Sequence, residues 1–210
     1  IAFIDADEFI YATGAEKNIL NQLNKLPDNV GAVGLNWATF GSGGHLKATH
    51  DPVFIRFQKR GLQREAVNHH YKSIVRSEAV IKPARNSHRF TLKPNFHYSR
   101  IDGSSFDLDI DQPCSTKTIS WNNWRINHYI IKSWTEFYNK KLPKGIATRR
   151  TEMRHIDFFR LQDKNSEDDA PSSEILENYA FHKNTLLRIL EENRTLADNA
   201  EYQLNQLSKH

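Results

Sequence analysis

Short apolar runs alternate with amphipathic segments along this chain, and this pattern predicts an α/β fold. Between Val30 and Trp37, the residues Val33, Leu35 and Trp37 alternate on one face, as they would in a strand. Similar patterns predict further strands at 71–75, 78–82 and around 130–131, and helices at 16–26, 154–161 and 174–207. The last helix is long, amphipathic and mixed in charge. We expect it to pack on its own domain. The alternatives are a partner helix and a membrane surface, and the mixed charge of its polar face argues against the membrane.

The first eleven residues carry the densest group of candidate ligands. An apolar run from Ile1 to Ile4 precedes Asp5, Asp7 and Glu8, and aromatic and apolar residues follow at once. If the run is a buried strand, Asp5 and Asp7 lie on the same side of an extended backbone, where their charges repel unless a cation sits between them. Mn²⁺ or Mg²⁺ fits this pattern because both bind carboxylate oxygens. The alternative is a solvated acidic turn after a strand.

A glycine-rich segment follows the predicted strand at 30–37. The stretch from Thr39 to His45 has three glycines in four positions, which breaks regular structure and lets the backbone approach a ligand closely. Its spacing differs from both common phosphate-binding loops, since no Gly-Lys-Ser/Thr follows and no helix clearly begins there. The segment is either a ligand-contacting loop or a flexible hairpin.

A second group of candidate residues lies where a predicted strand is followed by a helix. Ser133 and Glu136 have the spacing of a capping box, which predicts that a helix begins there. His128, Tyr129 and Lys132 come just before it, and the ends of strands in α/β sheets are favoured places for ligand-binding groups. A single histidine at such a position is either a ligand or a hydrogen-bonded core residue.

Composition narrows the function classes. The formal net charge of the 210 residues is +4, and the basic residues are dispersed along the chain, so nucleic acid is not an indicated partner. The single cysteine, Cys114, excludes an intramolecular disulfide framework and a cysteine-based zinc cluster, and it favours a reducing, cytoplasmic location. No run of about 18 apolar residues occurs, so we expect membrane association only at the periphery. The chain begins inside an expected strand, and we therefore expect it to be a fragment.

Four motifs, taken in order, resemble those of glycosyltransferases with the GT-A fold, of the family-2-like and family-92-like group. They are Ile4-Asp-Ala-Asp-Glu-Phe9, Trp37-x-x-Phe-Gly-Ser-Gly-Gly-His45, Lys72-Ser-Ile-Val75 with His88, and His128-Tyr-x-x-Lys-Ser133 followed by Glu136-Phe137, Lys140 and Lys144-Gly145. The resemblance covers about residues 1–145. It implies that residues 1–150 are the C-terminal portion of a Rossmann-like GT-A domain without its N-terminal nucleotide-binding part. Residues 151–210 would form a helical extension.

The resemblance also implies an activity. It indicates a metal-dependent, inverting hexosyltransferase that uses a nucleotide-diphosphate sugar, a UDP-sugar in the first place, and a glycan, a lipid-linked or another hydroxyl acceptor. A metal would neutralise the leaving diphosphate. The implied site residues are the metal ligands Asp5, Asp7 and His128, the donor-binding residues Lys132, Gly41 and Ser42, and the candidate catalytic bases Glu8 and His45. The family usually has Ser where this chain has Gly43, so the glycine-rich loop departs from the pattern.

Two other classes share part of this pattern. Haloacid-dehalogenase phosphatases also place Asp-x-Asp after an apolar strand, with the first Asp as nucleophile and the second as general acid. They have a small residue and Thr after the second Asp, whereas this chain has Glu8 and Phe9. The other alternative is a non-catalytic module that binds sugar or protein through an aromatic-rich surface. Metal-dependent hydrolysis of the donor would distinguish the enzyme from this module.

Overall fold

The computed structural model describes residues 1–84, 86–109, 111–112, 114–144 and 154–207. They form two compact units, of which the first is Ile1–Asp169 and the second begins at Ala170. The strands are β1 (Glu8–Ala12), β2 (Val30–Thr39), β3 (Lys59–Arg60), β4 (Tyr71–Val75), β5 (Val80–Pro83), β6 (Phe90–Leu92), β7 (His97–Ser99), β8 (Trp124–His128) and β9 (Glu167–Asp168). The α-helices are α1 (Ile19–Leu23), α2 (Val53–Arg56), α3 (Trp134–Glu136), α4 (Ile156–Gln162) and α5 (Ser173–Leu207). Short 3₁₀ or π-helical turns span Ala66–His69, Ser77–Ala79, Phe137–Lys141 and Leu142–Lys144.

A mixed five-stranded sheet forms the centre of the first unit. Its main order is β1-β8-β2-β4, and β7 also pairs with β2. Strand β2 runs parallel to β7 and β8 and antiparallel to β4, while β1 and β8 are antiparallel. All ten residues of β2 are buried, as expected for an apolar strand at the centre of a sheet. The mixed sheet with its helices is compatible with the predicted α/β class.

The secondary structure predicted for the N-terminus is wrong. The apolar run is exposed and forms no strand, and within it Ala2 makes an isolated bridge to Ile74. Asp5 to Glu8 form a turn in which the Glu8 amide donates to the Asp5 carbonyl at 3.0 Å. Strand β1 therefore follows the acidic residues instead of preceding them. Because a turn replaces extended backbone, Asp5 and Asp7 do not share one strand face.

The other predicted elements are confirmed in part. Strands β2 and β4 lie where alternation predicted them, and the capping box of Ser133 and Glu136 opens α3. Helix α5 covers the predicted range, whereas the first helix is shorter than predicted. Ile130 and Ile131 lie beyond the end of β8 and not in a strand. The reason is that the neighbouring strand β1 begins opposite His128 and pairs no residue beyond it.

Strand pairing and charged contacts join residues 163–169 to the rest of the first unit. Strand β9 pairs with β3, and Asp169 accepts a hydrogen bond from Arg125 at 2.7 Å and pairs with Arg60. Helix α4 and strand β9 thus belong to the same compact unit as the sheet. Gly145 of the fourth motif and the expected boundary at residue 150 lie outside the described residues. In the part of the chain that the structure describes, no helix is long and apolar enough to cross a bilayer.

Candidate functional site

The pairing of β1 with β8 brings the acidic turn to a histidine that is distant in sequence. Glu8, the first residue of β1, is opposite His128, the last residue of β8. The next amide, that of Tyr129, donates to the carbonyl of Asp7 at 2.9 Å. The backbone thereby fixes Asp7 beside the end of β8.

Asp7 lies between a lysine and this histidine. Its Oδ2 accepts a hydrogen bond from Lys141 Nζ at 2.9 Å, and its Oδ1 is 3.8 Å from His128 Nε2. Burial raises the pKa of Asp7, but the Lys141 ammonium, with smaller effects of His128 and Lys132, outweighs burial and holds the pKa below its usual value. Asp7 is therefore an ionised carboxylate near neutral pH.

His128 is buried and neutral. Burial lowers its pKa to about 3, against the opposing effect of Asp7. Its Nδ1 has no hydrogen-bond partner, and the 3.8 Å from Nε2 to Asp7 exceeds a hydrogen bond. The imidazole packs against the Trp37 ring in a tilted arrangement, with 4.2 Å between ring centroids. A neutral imidazole without a strong hydrogen bond is available as a ligand.

Asp5 belongs to a second, separate network. Its Oδ2 accepts a hydrogen bond from Lys72 Nζ at 2.9 Å, and the same ammonium is 3.5 Å from Glu8 Oε2. Lys72 and Glu8 are both buried, whereas the Asp5 side chain is 62% exposed. Glu8 Oε2 also accepts from the Asp5 amide at 2.8 Å, but Oε1 has no partner. Burial raises the pKa of Glu8 to about 7, although the Asp5 amide and Lys72 oppose the shift.

The predicted metal ligands fit a divalent cation in part. Two carboxylates and an imidazole are ligands that Mn²⁺ binds in proteins. Of these three groups, Asp7 and His128 lie next to each other. Lysines hold Oδ2 of both aspartates. Among the described residues, no three His, Cys, Asp or Glu side chains are grouped closely enough to hold a metal. Of the three predicted ligands, Asp7 and His128 lie together, whereas Asp5 is held apart by its hydrogen bond with Lys72.

A basic cavity of about 300 Å³ opens beside Asp7. Among its described lining residues, five are cationic and two are acidic. The lining residues are Asp7, Ile130, Ile131, Lys132, Glu136, Lys140, Lys141, Lys144 and Arg154. The negative charge of Glu136 is already balanced by Arg56, from which it accepts two hydrogen bonds at 2.7 and 3.0 Å. The excess of positive charge suits a multivalent anion.

Local structure explains how so many cations share one cavity. The capping box fixes the start of α3, and the helix continues as a π-helical turn over Phe137–Lys141. The wider turn and the 3₁₀ turn that follows place Lys140, Lys141 and Lys144 around the same cavity. The sequence motifs had singled out Lys132, Lys140 and Lys144. Lys141 and Arg154 were missed, and the adjacent Lys140-Lys141 pair at a helix end was the available signal.

Lys132 reaches the cavity from a strained backbone. Its φ of 59° lies in the left-handed region, which costs a residue with a Cβ about 1 to 2 kcal/mol. Such strain is tolerated where it serves to aim a side chain, and it is concentrated at functional sites. The position supports Lys132 as a ligand-binding residue.

We expect Lys132→Gly to be about 1 kcal/mol more stable than Lys132→Ala. Both substitutions remove the charge, but only glycine relieves the left-handed backbone. At an ordinary loop position the order is reversed, because glycine gains more entropy on unfolding. Urea unfolding of the two variants measures the difference. A glycine variant that is less stable than the alanine variant would contradict the strained backbone.

The glycine-rich loop is held by its own chain. The amide of Ser42 donates to Asp163 Oδ1 at 2.6 Å, and the amide of Gly43 donates to Asn165 Oδ1 at 2.8 Å. A Cβ at Gly41 would collide with the Lys164 carbonyl and the Asn165 side chain. Residues 163–165 therefore occupy the space beside the loop backbone that the glycines leave open. Gly41 and Ser42 are buried beneath this contact, so a donor would meet the loop at Gly43 and beyond.

His45 lines a second, larger cleft of about 450 Å³. Its other lining residues are polar for the most part: Gly43, Thr49, Asp51, Ile55, Arg56, Gln58, Lys59 and Asp168. Arg56 lines this cleft and Glu136 lines the basic cavity, so the two spaces adjoin at the Arg56–Glu136 ion pair. Of the two candidate bases, Glu8 is buried and His45 is exposed to solvent.

Comparison with models of known protein families, with curated proteins and with solved structures finds no match for this chain.

Proposed function

We propose that this chain is a metal-dependent glycosyltransferase that moves a sugar from a nucleotide-diphosphate sugar, a UDP-sugar in the first place, to a hydroxyl of a glycan or lipid-linked acceptor. The observation that carries the proposal is the basic cavity beside the Asp7–His128 pair. A diphosphate is a multivalent anion, and its departure from the sugar requires that its charge be neutralised. The resemblance of the four sequence motifs points to the same class.

The cationic side chains would bind the donor diphosphate. Lys132, Lys140 and Lys144 line the cavity and would act as point charges on the phosphate oxygens. Lys141 is tied to Asp7 and would keep that carboxylate in place while it adds its own charge. This arrangement stabilises the diphosphate more as negative charge develops on it during transfer.

Asp7 and His128 would hold a Mn²⁺ or Mg²⁺ ion, and Asp5 would have to leave Lys72 before it could bind the same ion. When bound, the ion would supply a Lewis acid for the leaving diphosphate. The burial that keeps His128 neutral at all pH values near neutrality preserves its lone pair for a ligand role. Because its pKa is raised to about 7, Glu8 is protonated and uncharged in part of the molecules near pH 7. In those molecules Glu8 does not add its negative charge to those of Asp5 and Asp7 near the donor.

The polar cleft at His45 is the proposed acceptor site. Its mixture of hydroxyl, carboxylate, amide and cationic groups suits the hydroxyls of a sugar, which both donate and accept hydrogen bonds. His45 is exposed at this cleft and is the preferred candidate for the base that takes the acceptor proton. Glu8 is buried beneath the acidic turn, where an acceptor hydroxyl does not reach it.

Turnover of the donor tests the proposal. A panel of UDP-sugars is incubated with wild type and Asp7→Asn in Mn²⁺ and in EDTA, and released UDP is measured. We expect release from at least one UDP-sugar in Mn²⁺, and a decrease of about 100-fold or more in EDTA or in the variant. The control is Asp28→Asn, an exposed aspartate in the turn before β2. Release that survives both changes would contradict the proposal, as would turnover of a phosphate monoester without any release of UDP.

A further inference from the structure

Helix α5 presents a large apolar surface to solvent. It is 35 residues long, about 52 Å at the usual rise per residue. The large apolar side chains exposed on it are Leu176, Phe181, Leu186, Leu187, Ile189, Leu190 and Leu196. A helix gains most of its stability by burying an apolar face. Three of these residues, Leu176, Leu186 and Leu190, lie on one stripe, and the other four are distributed around the helix.

The spacing on this helix is that of a coiled coil. Steps of three and four residues connect one seam, which consists of Leu176, Tyr179, Lys183, Leu186, Leu190 and Asn193. In the sequence the same spacing continues through positions 197, 200 and 204. A repeat of 3.5 residues keeps one stripe in contact with a partner helix over several turns. The partner that fits this repeat is therefore another α-helix.

The two polar residues of the seam, Lys183 and Asn193, favour one orientation of the partner helix. Lys183 and Asn193 are each five positions from Arg188, and Leu186 and Leu190 are each two positions from it. In an antiparallel pair of identical helices centred on Arg188, Lys183 faces the partner's Asn193 and Leu186 faces the partner's Leu190. In a parallel pair in register, Lys183 would face a second Lys183 inside the seam, which is unfavourable.

We propose that α5 pairs with α5 of a second copy of this chain, antiparallel and centred on Arg188. A two-fold axis at this residue makes the contact self-complementary and closes it as a dimer. Glu177, Glu191 and Glu192 lie outside the seam together with Arg188, and this mixed charge disfavours an anionic membrane surface as the occupant.

Sedimentation of the full chain tests the pairing. We expect wild type to have twice the mass of the monomer and Leu186→Glu to be monomeric. Phe181→Glu is the matched control: Phe181 is also an exposed apolar residue of the same helix, but it lies outside the seam, so this variant should remain dimeric. A monomeric wild type at every concentration reached, or dissociation by both substitutions alike, would overturn the proposal.

Disulfide trapping tests the orientation. In a Cys114→Ser background, Lys183→Cys protein is mixed with Asn193→Cys protein and mildly oxidised. Antiparallel pairing predicts the mixed disulfide between the two proteins as the main product. A parallel pair would instead give each variant cross-linked to itself, and preferential binding of anionic vesicles by a monomer would assign the surface to a membrane. Each of these two results would overturn the proposed arrangement.

Discussion

Replacement of Lys72 by Met is expected to lower the free energy of unfolding by about 3 kcal/mol at about pH 8. Lys72 is buried and contacts both Asp5 and Glu8, and Glu8 is itself buried with one oxygen that has no partner. Without the ammonium, the Glu8 carboxylate is a buried charge with no cation beside it. Removal of one partner from a buried pair typically costs 3 to 5 kcal/mol, and the lower end applies here because Glu8 can take up a proton.

The stability lost in Lys72→Met should be larger at about pH 8 than at about pH 5. Burial raises the pKa of Glu8 from 4.5 to about 7, so the folded protein holds this proton more tightly than the unfolded chain does. The stability that comes from this proton is fully present below about pH 4.5 and is lost as the pH rises through about 7. At about pH 5 Glu8 is protonated in wild type and in the variant alike, and the difference between them should fall to about 1 kcal/mol.

Urea unfolding at the two pH values measures this effect. The control is Lys59→Met, since Lys59 is half-exposed and 3.6 Å from the exposed Asp168. Such a surface pair contributes about 0 to 1 kcal/mol at either pH. An equal loss for Lys72→Met at both pH values would show that Glu8 is not the group that Lys72 stabilises.

Asp7→Asn is expected to change the affinity for UDP in opposite directions with and without metal. In Mn²⁺ the variant lacks a charged ligand, and affinity should fall by about 100-fold, or about 2.7 kcal/mol. In EDTA the same carboxylate repels the phosphates, so its neutralisation should raise affinity by about tenfold. The reversal arises because a bound cation inverts the local electrostatics of a carboxylate.

Isothermal titration of both proteins in both conditions gives the four affinities. Asp28→Asn removes an exposed carboxylate outside the cavity and should leave all of them unchanged. A decrease of affinity in both conditions would mean that Asp7 supports the fold of the site instead of a metal.

Those parts of the fold that depend on local pattern could be predicted from the sequence. Strand β2 follows from the alternation of Val33, Leu35 and Trp37, and the start of α3 follows from the capping box, because both signals report contacts within a few residues. The apolar run at the N-terminus misled the prediction. Its residues sit at an edge where Ala2 forms only one bridge to β4, and hydrophobicity alone does not report which strand it pairs with.

The site could be predicted only in its carboxylates, its histidine and part of its basic residues. The contact between Lys141 and Asp7 spans 134 positions, and nothing in the local spacing of either residue specifies it. The partners of the glycine-rich loop, Asp163 and Asn165, come from a polar stretch without an apolar pattern. Sheet pairing and loop packing set these contacts, and a single sequence shows neither.

The most direct test of the proposed donor site is the titration of the natural-length wild-type protein with UDP and, for comparison, UMP in Mn²⁺ and in EDTA. We expect UDP in Mn²⁺ to bind at least about tenfold more tightly than UMP in Mn²⁺ and than UDP in EDTA, since the cavity beside Asp7 would neutralise the second phosphate. Failure of UDP to bind, or equal affinities for UDP and UMP, would contradict the assignment of the basic cavity to a nucleotide diphosphate.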